Sequence, residues 1–408
     1  MANNFKNTSL VTKIAVKEFL NALVMGQKVD RQLDSQFRKV GASIDVRRPV
    51  MFDSSDGATL SGTGTDIEER AATVTLDKRK KVHFEIDSQA MTLNIEDMTS
   101  RYIRPAMEEL AQKVETDLGD VYKQIGNFTG TPGTTPSTFL TVAQTGAVLS
   151  KLGVPMQDRC LFVNADAAVV LANGLREVFP EGIAKKAIEE ASVGRYGRFD
   201  IFESNSLATH TVGVATGTPL VNGATQNVTY AASGDSWTQS LITDGWTNST
   251  ADILLEGDSF TIAGVNSVNR RTRVDTGDLQ TFTVTADAAS GATTGPSTLT
   301  ITPPMITSGP YQTVTAAPAD DAAIVVLTGA SGTSHPQHLG FHKNAITLAM
   351  APLDMPTDGA SAARESFKGI SIRSVRQYDI TNDKTIFRFD ILYGIKAQNP
   401  DFAVRLTG

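Results

Sequence analysis

Apolar residues recur at three- and four-residue steps in the first half of the chain. Over residues 9–25, Ile14, Phe19, Leu23 and Val24 form a loose apolar face behind Ser9, a candidate cap, which predicts a helix. Residues 27–50 are basic and polar with little periodicity and read as an arm lying against another surface. Residues 52–70 have the Gly, Ser, Thr and Asp composition of a loop. Ala72, Val74 and Leu76 then alternate, residues 77–81 read as a turn, and Val82, Phe84 and Ile86 alternate again. This predicts a long two-stranded projection with Lys78-Arg79-Lys80-Lys81 near its tip, continued by a strand through Met91, Leu93 and Ile95. A lone hairpin is marginal in water, so it should rest on another surface. The strongest helical period follows: Ile103, Ala106, Leu110, Val114, Leu118, Val121 and Ile125 make one narrow stripe, a spine helix with Ser100 as its cap. Helices are predicted at 138–152 (with Phe139, Val142 and Leu149), 166–178 and 182–191, and a buried strand at 160–163.

The pattern changes at about residue 211 and changes back at about 330. Between them Thr, Ser, Gly, Ala and Asp dominate, and apolar residues alternate in short runs. Val212 and Val214, Val228 and Tyr230, Ile253 and Leu255, Phe260 and Ile262, Phe282 and Val284, Leu299 and Ile301, and Val325 and Val326 mark strands. Their spacing predicts a small barrel or sandwich inserted in an α/β body. From Pro336, the positions Leu339, Phe341, Ile346 and Leu348 predict a helix. The chain ends in strand patterns through Ile370, Ile372 and Val375, then Ile386, Phe389 and Ile391, then Phe402, Val404 and Leu406.

Charge sharpens this division. Residues 1–50 carry nine Lys and Arg against four Asp and Glu, whereas residues 211–330 carry three Arg and no Lys against ten acids. The first segment suits a polyanionic or acidic partner and the second would repel one. The one cysteine, Cys160, rules out an internal disulfide framework and sits in an apolar run as a structural thiol. No apolar run is long enough to cross a membrane, and the start lacks a secretion pattern.

Catalytic patterns are weak. Glu256-Gly257-Asp258-Ser259-Phe260 has the Gly-Asp-Ser order of some lipases but no downstream Asp-x-x-His, and reads as a turn opening a barrel strand. His335, His338 and His342 are the best metal candidates; His338 and His342 would share a helix face, but no zincin-type Glu accompanies them. Glu68-Glu69, Glu108-Glu109 and Glu189-Glu190 are chain neighbours and do not face each other on a helix. No phosphate-binding glycine loop is present. No enzyme activity, metal or cofactor is expected.

The element order resembles the major capsid proteins of P22-like short-tailed bacteriophages. Local similarity lies in Gly257-Asp258-Ser259-Phe260-Thr261-Ile262-Ala263-Gly264-Val265, Leu299-Thr300-Ile301-Thr302-Pro303, Thr385 to Phe389 with Leu392-Tyr393-Gly394, and the start from Asn4 to Phe19. The resemblance implies an α+β, HK97-like capsid fold. It would comprise an N-terminal arm (1–50), an extended β-hairpin loop (51–96), a discontinuous body of peripheral and axial domains with the spine helix (97–210 and 330–408), and an inserted β-barrel domain (211–329). The implied function is a major capsid protein that self-assembles, through hexamers and pentamers, into an icosahedral shell around double-stranded DNA. A β-rich phage tail or adhesion protein is the alternative, and it leaves the spine helix unexplained. A hydrolase with an inserted domain is a third reading and lacks its catalytic cluster.

The resemblance also implies partners: a scaffolding protein, a portal protein, packaged DNA held non-specifically and, as an open point, a decoration protein. It places the protein in the virion, assembled in the host bacterial cytoplasm, without covalent crosslinks. Lys6, Lys13 and Lys17 are the candidate scaffold contacts, and Lys78, Arg79, Lys80 and Lys81 the candidate hairpin-loop contacts. Arg270, Arg271 and Arg273, followed by Asp275 and Asp278, form a candidate clasp to a neighbouring subunit.

Overall fold

A computed structural model describes residues 7–31, 43–48, 50–52, 67–87, 99–176, 194–356 and 360–408. In chain order, α1 (Asn7–Ala22) leads to β1 (Ser43–Arg47), β2 (Ala71–Thr75), β3 (Lys78–Asp87), α2 (Arg104–Gly119), β4 (Phe128–Gly130), α3 (Phe139–Lys151), β5 (Arg159–Val163) and α4 (Ala165–Arg176). Next come β6 (Arg195–Tyr196), β7 (Phe199–Glu203), β8 (Thr209–Thr211), β9 (Gly217–Val221), α5 (Tyr230–Ser233), β10 (Gln239–Trp246), β11 (Ser259–Val268), β12 (Asp275–Val284), β13 (Ser297–Thr302) and β14 (Ile324–Val326). The chain closes with β15 (Ser334–His342), β16 (Ile346–Ala351), β17 (Ser361–Phe367), β18 (Ile370–Asp379), β19 (Lys384–Ala397) and β20 (Ala403–Thr407). Two compact units divide these residues: the first within Met1–Asp45, Thr73–Leu118 and Thr347–Lys396, the second within Val46–Ala72, Gly119–Ile346 and Ala397–Gly408. The predicted continuation through Met91, Leu93 and Ile95 and the helix predicted at 182–191 lie outside the described residues.

In the first unit, a sheet of order β16-β19-β18-β17 takes β3 on the edge of β19. Helix α1 buries Ala15, Val16 and Phe19 toward β17 and β18, and Thr12 Oγ1 meets Ser374 Oγ at 2.6 Å. The apolar stripe of α2 is buried as its period predicts, from Ala106 through Leu110 and Val114 to Leu118. A π-type turn, Thr99–Ile103, precedes α2 where a Ser100 cap was expected.

The predicted hairpin is the main correction here. β2 pairs with β1, and β3 pairs with β19 across the whole of Lys78–Asp87, opposite Tyr393–Lys384. The alternation was therefore read correctly and the partner was not. A 14-residue β19 offers an edge along which all ten residues of β3 find a cross-strand partner. That satisfies more backbone groups than a free-standing ribbon could.

The second unit holds a mixed sheet of order β4-β20-β15-β5-β7-β6, with β8 also on β15. Its core gathers Leu161, Val163, Leu171, Phe199, Val404 and Leu406. The helix predicted from Pro336 is instead β15 and β16, separated by one 3-10 turn, Lys343–Ala345. The misreading has a physical cause: β15 is a central strand, paired with β5 on one edge and β20 on the other. Residues 337–342 are buried on both faces, so the period-two signal vanishes.

The same unit contains the barrel-like sheet, order β14-β11-β12-β13-β10-β9. Val221 N donates to Ala322 O at 3.0 Å and Asp321 N to Val221 O at 2.9 Å, which nearly closes it. Its interior is Leu241, Trp246, Phe260, Ile262, Phe282 and Leu299, the inward residues of alternating strands. Val228 and Tyr230 are not a strand; Tyr230 opens the short helix α5 and stacks on Tyr311 with ring centroids 3.5 Å apart. The α+β class and the barrel-like sheet agree with the expectation from sequence.

Candidate assembly surfaces and the buried polar network of the barrel

The turn before β11 is anchored by a carboxylate rather than by a catalytic serine. Asp258 is fully buried. Its Oδ2 accepts from Leu255 N at 2.7 Å and Gly213 N at 3.0 Å. Its Oδ1 accepts from Thr328 Oγ1 at 2.7 Å and lies 2.9 Å from His210 Nε2. The far nitrogen of that ring, Nδ1, is 2.9 Å from Tyr122 Oη. Burial pushes the Asp258 carboxyl up, but bonds from His210, Leu255 N and Thr328 outweigh it and hold the group below its ordinary 3.8. Gly257 is required at the turn: its φ is +106°, and a Cβ there would lie 2.9 Å from the Tyr122 ring.

Arg405, in β20, completes the network. It is wholly buried, donates to Gly257 O at 2.6 Å and Ser259 Oγ at 2.8 Å, and lies 5.3 Å from the ring centroids of both Tyr122 and Phe128. Burial lowers its guanidinium to about 10, so it stays charged at neutral pH. Ser259 Oγ in turn meets Thr283 Oγ1 at 2.7 Å, which donates to Ile125 O at 2.9 Å. The network thus ties β11 and β12 of the barrel to β8, β20 and the 3-10 turn carrying Tyr122. The arrangement is a structural lock. Ser259, which follows Asp258 in the chain, points to Arg405 and Thr283 rather than to the His210 ring. The turn stands out in the sequence, but its partners lie up to 148 positions away along the chain.

The candidate clasp divides on inspection. Arg270 is 5% exposed; its Nε and Nη2 hold Asp401 at 3.1 and 3.3 Å, and its Nη1 donates to Thr313 O at 2.8 Å. Within the chain it is therefore bound to Asp401 and the Thr313 carbonyl. Asp278 pairs with Lys151, and the exposed Asp275 accepts from Asn266 Nδ2 at 2.9 Å and Gly277 N at 2.8 Å. Arg271 is exposed at the β11–β12 turn, and Arg273 donates to Phe52 O at 3.0 Å.

The basic run divides too, because it is strand and not tip. Lys78 and Lys80 face Asp117 of α2 at 3.4 and 3.5 Å, beside the Tyr393 hydroxyl that donates to the same carboxylate. Arg79 and Lys81 lie on the opposite, more exposed face, where Arg79 pairs with the buried Asp390 at 3.8 Å. On the arm, Lys13 and Lys17 stand four residues apart on the exposed side of α1; Lys6 lies outside the described residues. Further contact candidates escaped the sequence reading. Phe139 and Leu140 on α3 are 54% and 63% exposed, Val169 on α4 is 59% exposed, and Ile380 at the β18–β19 turn is 86% exposed.

The histidine cluster is dispersed by the strand. On β15, positions 338 and 342 are separated by four strand steps, roughly 13 Å, rather than by one helical turn. Among the described residues no group of His, Cys, Asp and Glu is placed to hold a metal. His338 is fully buried, accepts from Asn164 N at 3.3 Å, and burial lowers it from 6.5 to about 4. The neutral ring contributes stability in full above pH 6.5, and that contribution is lost as pH falls through about 4. Acidification across this window should cost up to about 3 kcal/mol through this residue. Urea unfolding at pH 7 and pH 4.5 checks it: a His338→Gln variant should show a distinctly shallower pH dependence than the unmodified chain.

Comparison with known proteins gives one full-length match: the model of the P22 coat protein family (gene protein 5) covers residues 1–408. No curated protein sequence matches. Among solved structures, a chain of Mycobacterium phage Che8 is similar at 13% identity and a TM-score of 0.49, over 94% of this chain and 90% of that one. The capsid structure of cyanophage P-SCSP1u is similar at 12% identity and a TM-score of 0.45, over 90% and 83%. The CUS-3 coat protein I-domain is 32% identical, with 28% of this chain and 98% of that one covered and a TM-score of 0.20.

Proposed function

Because the chain belongs to the P22 coat protein family along its whole length and is a major capsid protein that forms a phage shell, we propose that its copies close into an icosahedral shell of hexamers and pentamers around double-stranded DNA. The full-length family match carries this reading. Assembly takes place in the host cytoplasm with a scaffolding protein and a portal protein, and the role is structural rather than catalytic. The inserted domain is residues 211–329, and its acidity directs it outward, away from packaged nucleic acid.

Three contacts follow. The exposed lysines of α1, Lys13 and Lys17, with Lys6 before them, receive an acidic surface of the scaffold. Arg79 and Lys81, on the open face of β3, meet an adjacent subunit, while Lys78 and Lys80 serve α2. Arg271 and Arg273, at the end of the β11–β12 hairpin, reach across to a neighbouring capsomer with Asp275. Charge reversal separates these roles. Lys13→Glu with Lys17→Glu should abolish scaffold-directed assembly while leaving the subunit's melting temperature within a few degrees. Arg271→Glu should lower the temperature at which shells release DNA. Electron microscopy with a dye-release melt reads both; unaltered assembly and release would remove these residues from the contacts.

A further inference from the structure

The second unit contains a cavity of about 350 Å³ that the lock does not use and whose wall includes the arginines of the candidate clasp. Its wall carries Arg48, Arg270, Arg271 and Arg273 against one carboxylate, Asp401. Three of these arginines are the only cationic side chains that residues 211–330 possess. Asp401 is already held by both Nε and Nη2 of Arg270, so the wall keeps an excess of positive charge.

Aromatic and aliphatic side chains make up most of the rest of the lining. Tyr230 and Tyr311 stack with planes 5° apart, and the Arg48 guanidinium carbon lies 5.2 Å from the Trp237 ring centroid. Two N–H donors on this wall lack an acceptor among the described residues: Arg48 Nε and Trp237 Nε1. Both side chains belong to residues only 7% exposed. A buried donor left without a partner costs about 1–3 kcal/mol, so such groups are rare unless something else completes them.

We propose that this cavity binds a small aromatic anion, its oxyanion against Arg48 and Arg271 and its ring against the Trp237 and Tyr230 side of the wall. The volume falls in the range of roughly 300–1,000 Å³ typical of small-molecule sites, which pair apolar walls with a few placed polar groups. Arginine suits both halves of such a ligand, since it grips an oxyanion with paired donors and stacks on π faces.

Calorimetric titration of the full-length unassembled subunit tests this with four probes: adenosine 5′-monophosphate, 4-hydroxybenzoate, inorganic phosphate and adenosine. At least one of the first two should saturate a single site, with phosphate and adenosine weaker by at least about tenfold. Whichever of the two binds more tightly identifies phosphate or carboxylate as the head group. Arg48→Gln and Arg271→Gln should each weaken binding by about tenfold or more. Arg271 is exposed, so its variant should fold even if the Arg48 variant does not. The chain has two tryptophans, so in a Trp246→Phe background the emission of Trp237 should change along the same isotherm. Failure of both aromatic anions to saturate, phosphate binding as tightly as either, or unchanged affinity in Arg271→Gln would each overturn the proposal.

Discussion

Replacing Asp258 with alanine is expected to destabilise the subunit by about 3–5 kcal/mol, the range for removing one partner of a buried charged network. The change strands Leu255 N, Gly213 N, the Thr328 hydroxyl and the His210 ring, all of which now meet one carboxylate. It also removes the negative charge that favours the buried Arg405 cation. Urea unfolding of the unassembled subunit reads the loss, and shell yield should fall with it. Arg405→Met should interact with it: the double variant should lose distinctly less than the sum of the two single changes, because each single change leaves the other charge buried alone. The lock should also weaken in strong acid. The folded carboxyl of Asp258 lies below its ordinary value of 3.8, so its contribution is complete above that pH and is lost as pH falls through the lower folded value. An Asp258→Ala variant as stable as the unmodified chain would mean that the barrel is held by its apolar core alone.

The second large effect is expected at Glu115, in the other unit. This residue of α2 is 4% exposed, and its carboxylate accepts from Val24 N at 3.1 Å, Met25 N at 2.9 Å and Gly26 N at 2.8 Å. Those amides open the 3-10 turn Met25–Gln27 that follows α1, where the first N–H groups have no carbonyl within the turn to bond, so Glu115 fixes how the arm leaves its helix. Glu115→Ala should cost about 3 kcal/mol by leaving three amides without an acceptor. Glu115→Gln keeps a carbonyl acceptor and should cost clearly less. Burial raises the carboxyl of Glu115 against the pull of those three bonds. Its sign is therefore opposite to that of Asp258: protonation is easier in the folded state, and the charged form weighs against folding as pH rises through the raised value. Hydrogen exchange at residues 24–26 measures the effect locally; protection unchanged in Glu115→Ala would contradict it.

Elements with a clean period were legible in the chain. The stripe from Ile103 to Leu118 gives α2, Thr138 caps α3 with its side chain, and Phe260 and Ile262 line the barrel as their alternation implies. Period fails where both faces are buried, as in β15, and it cannot name a partner, as β3 shows by pairing with a strand about 300 residues away. The contact surfaces were legible as charge only. Which charges stay available depends on tertiary placement: Arg270 and Lys78 carry the same signal as Arg271 and Lys81, yet the first two are spent on Asp401 and Asp117. The polar lock was the least legible, because its members come from Tyr122, His210, Asp258, Thr328 and Arg405, and only the Gly257-Asp258 turn stands out locally.

Cryo-electron microscopy of particles assembled from the full-length chain with its scaffold tests the central claim most directly. Closed icosahedral shells are expected, with the barrel strands of residues 217–326 on the outer surface and Arg271 at contacts between capsomers. Fibres, dispersed monomers, or shells whose barrels line the DNA-facing side would contradict it.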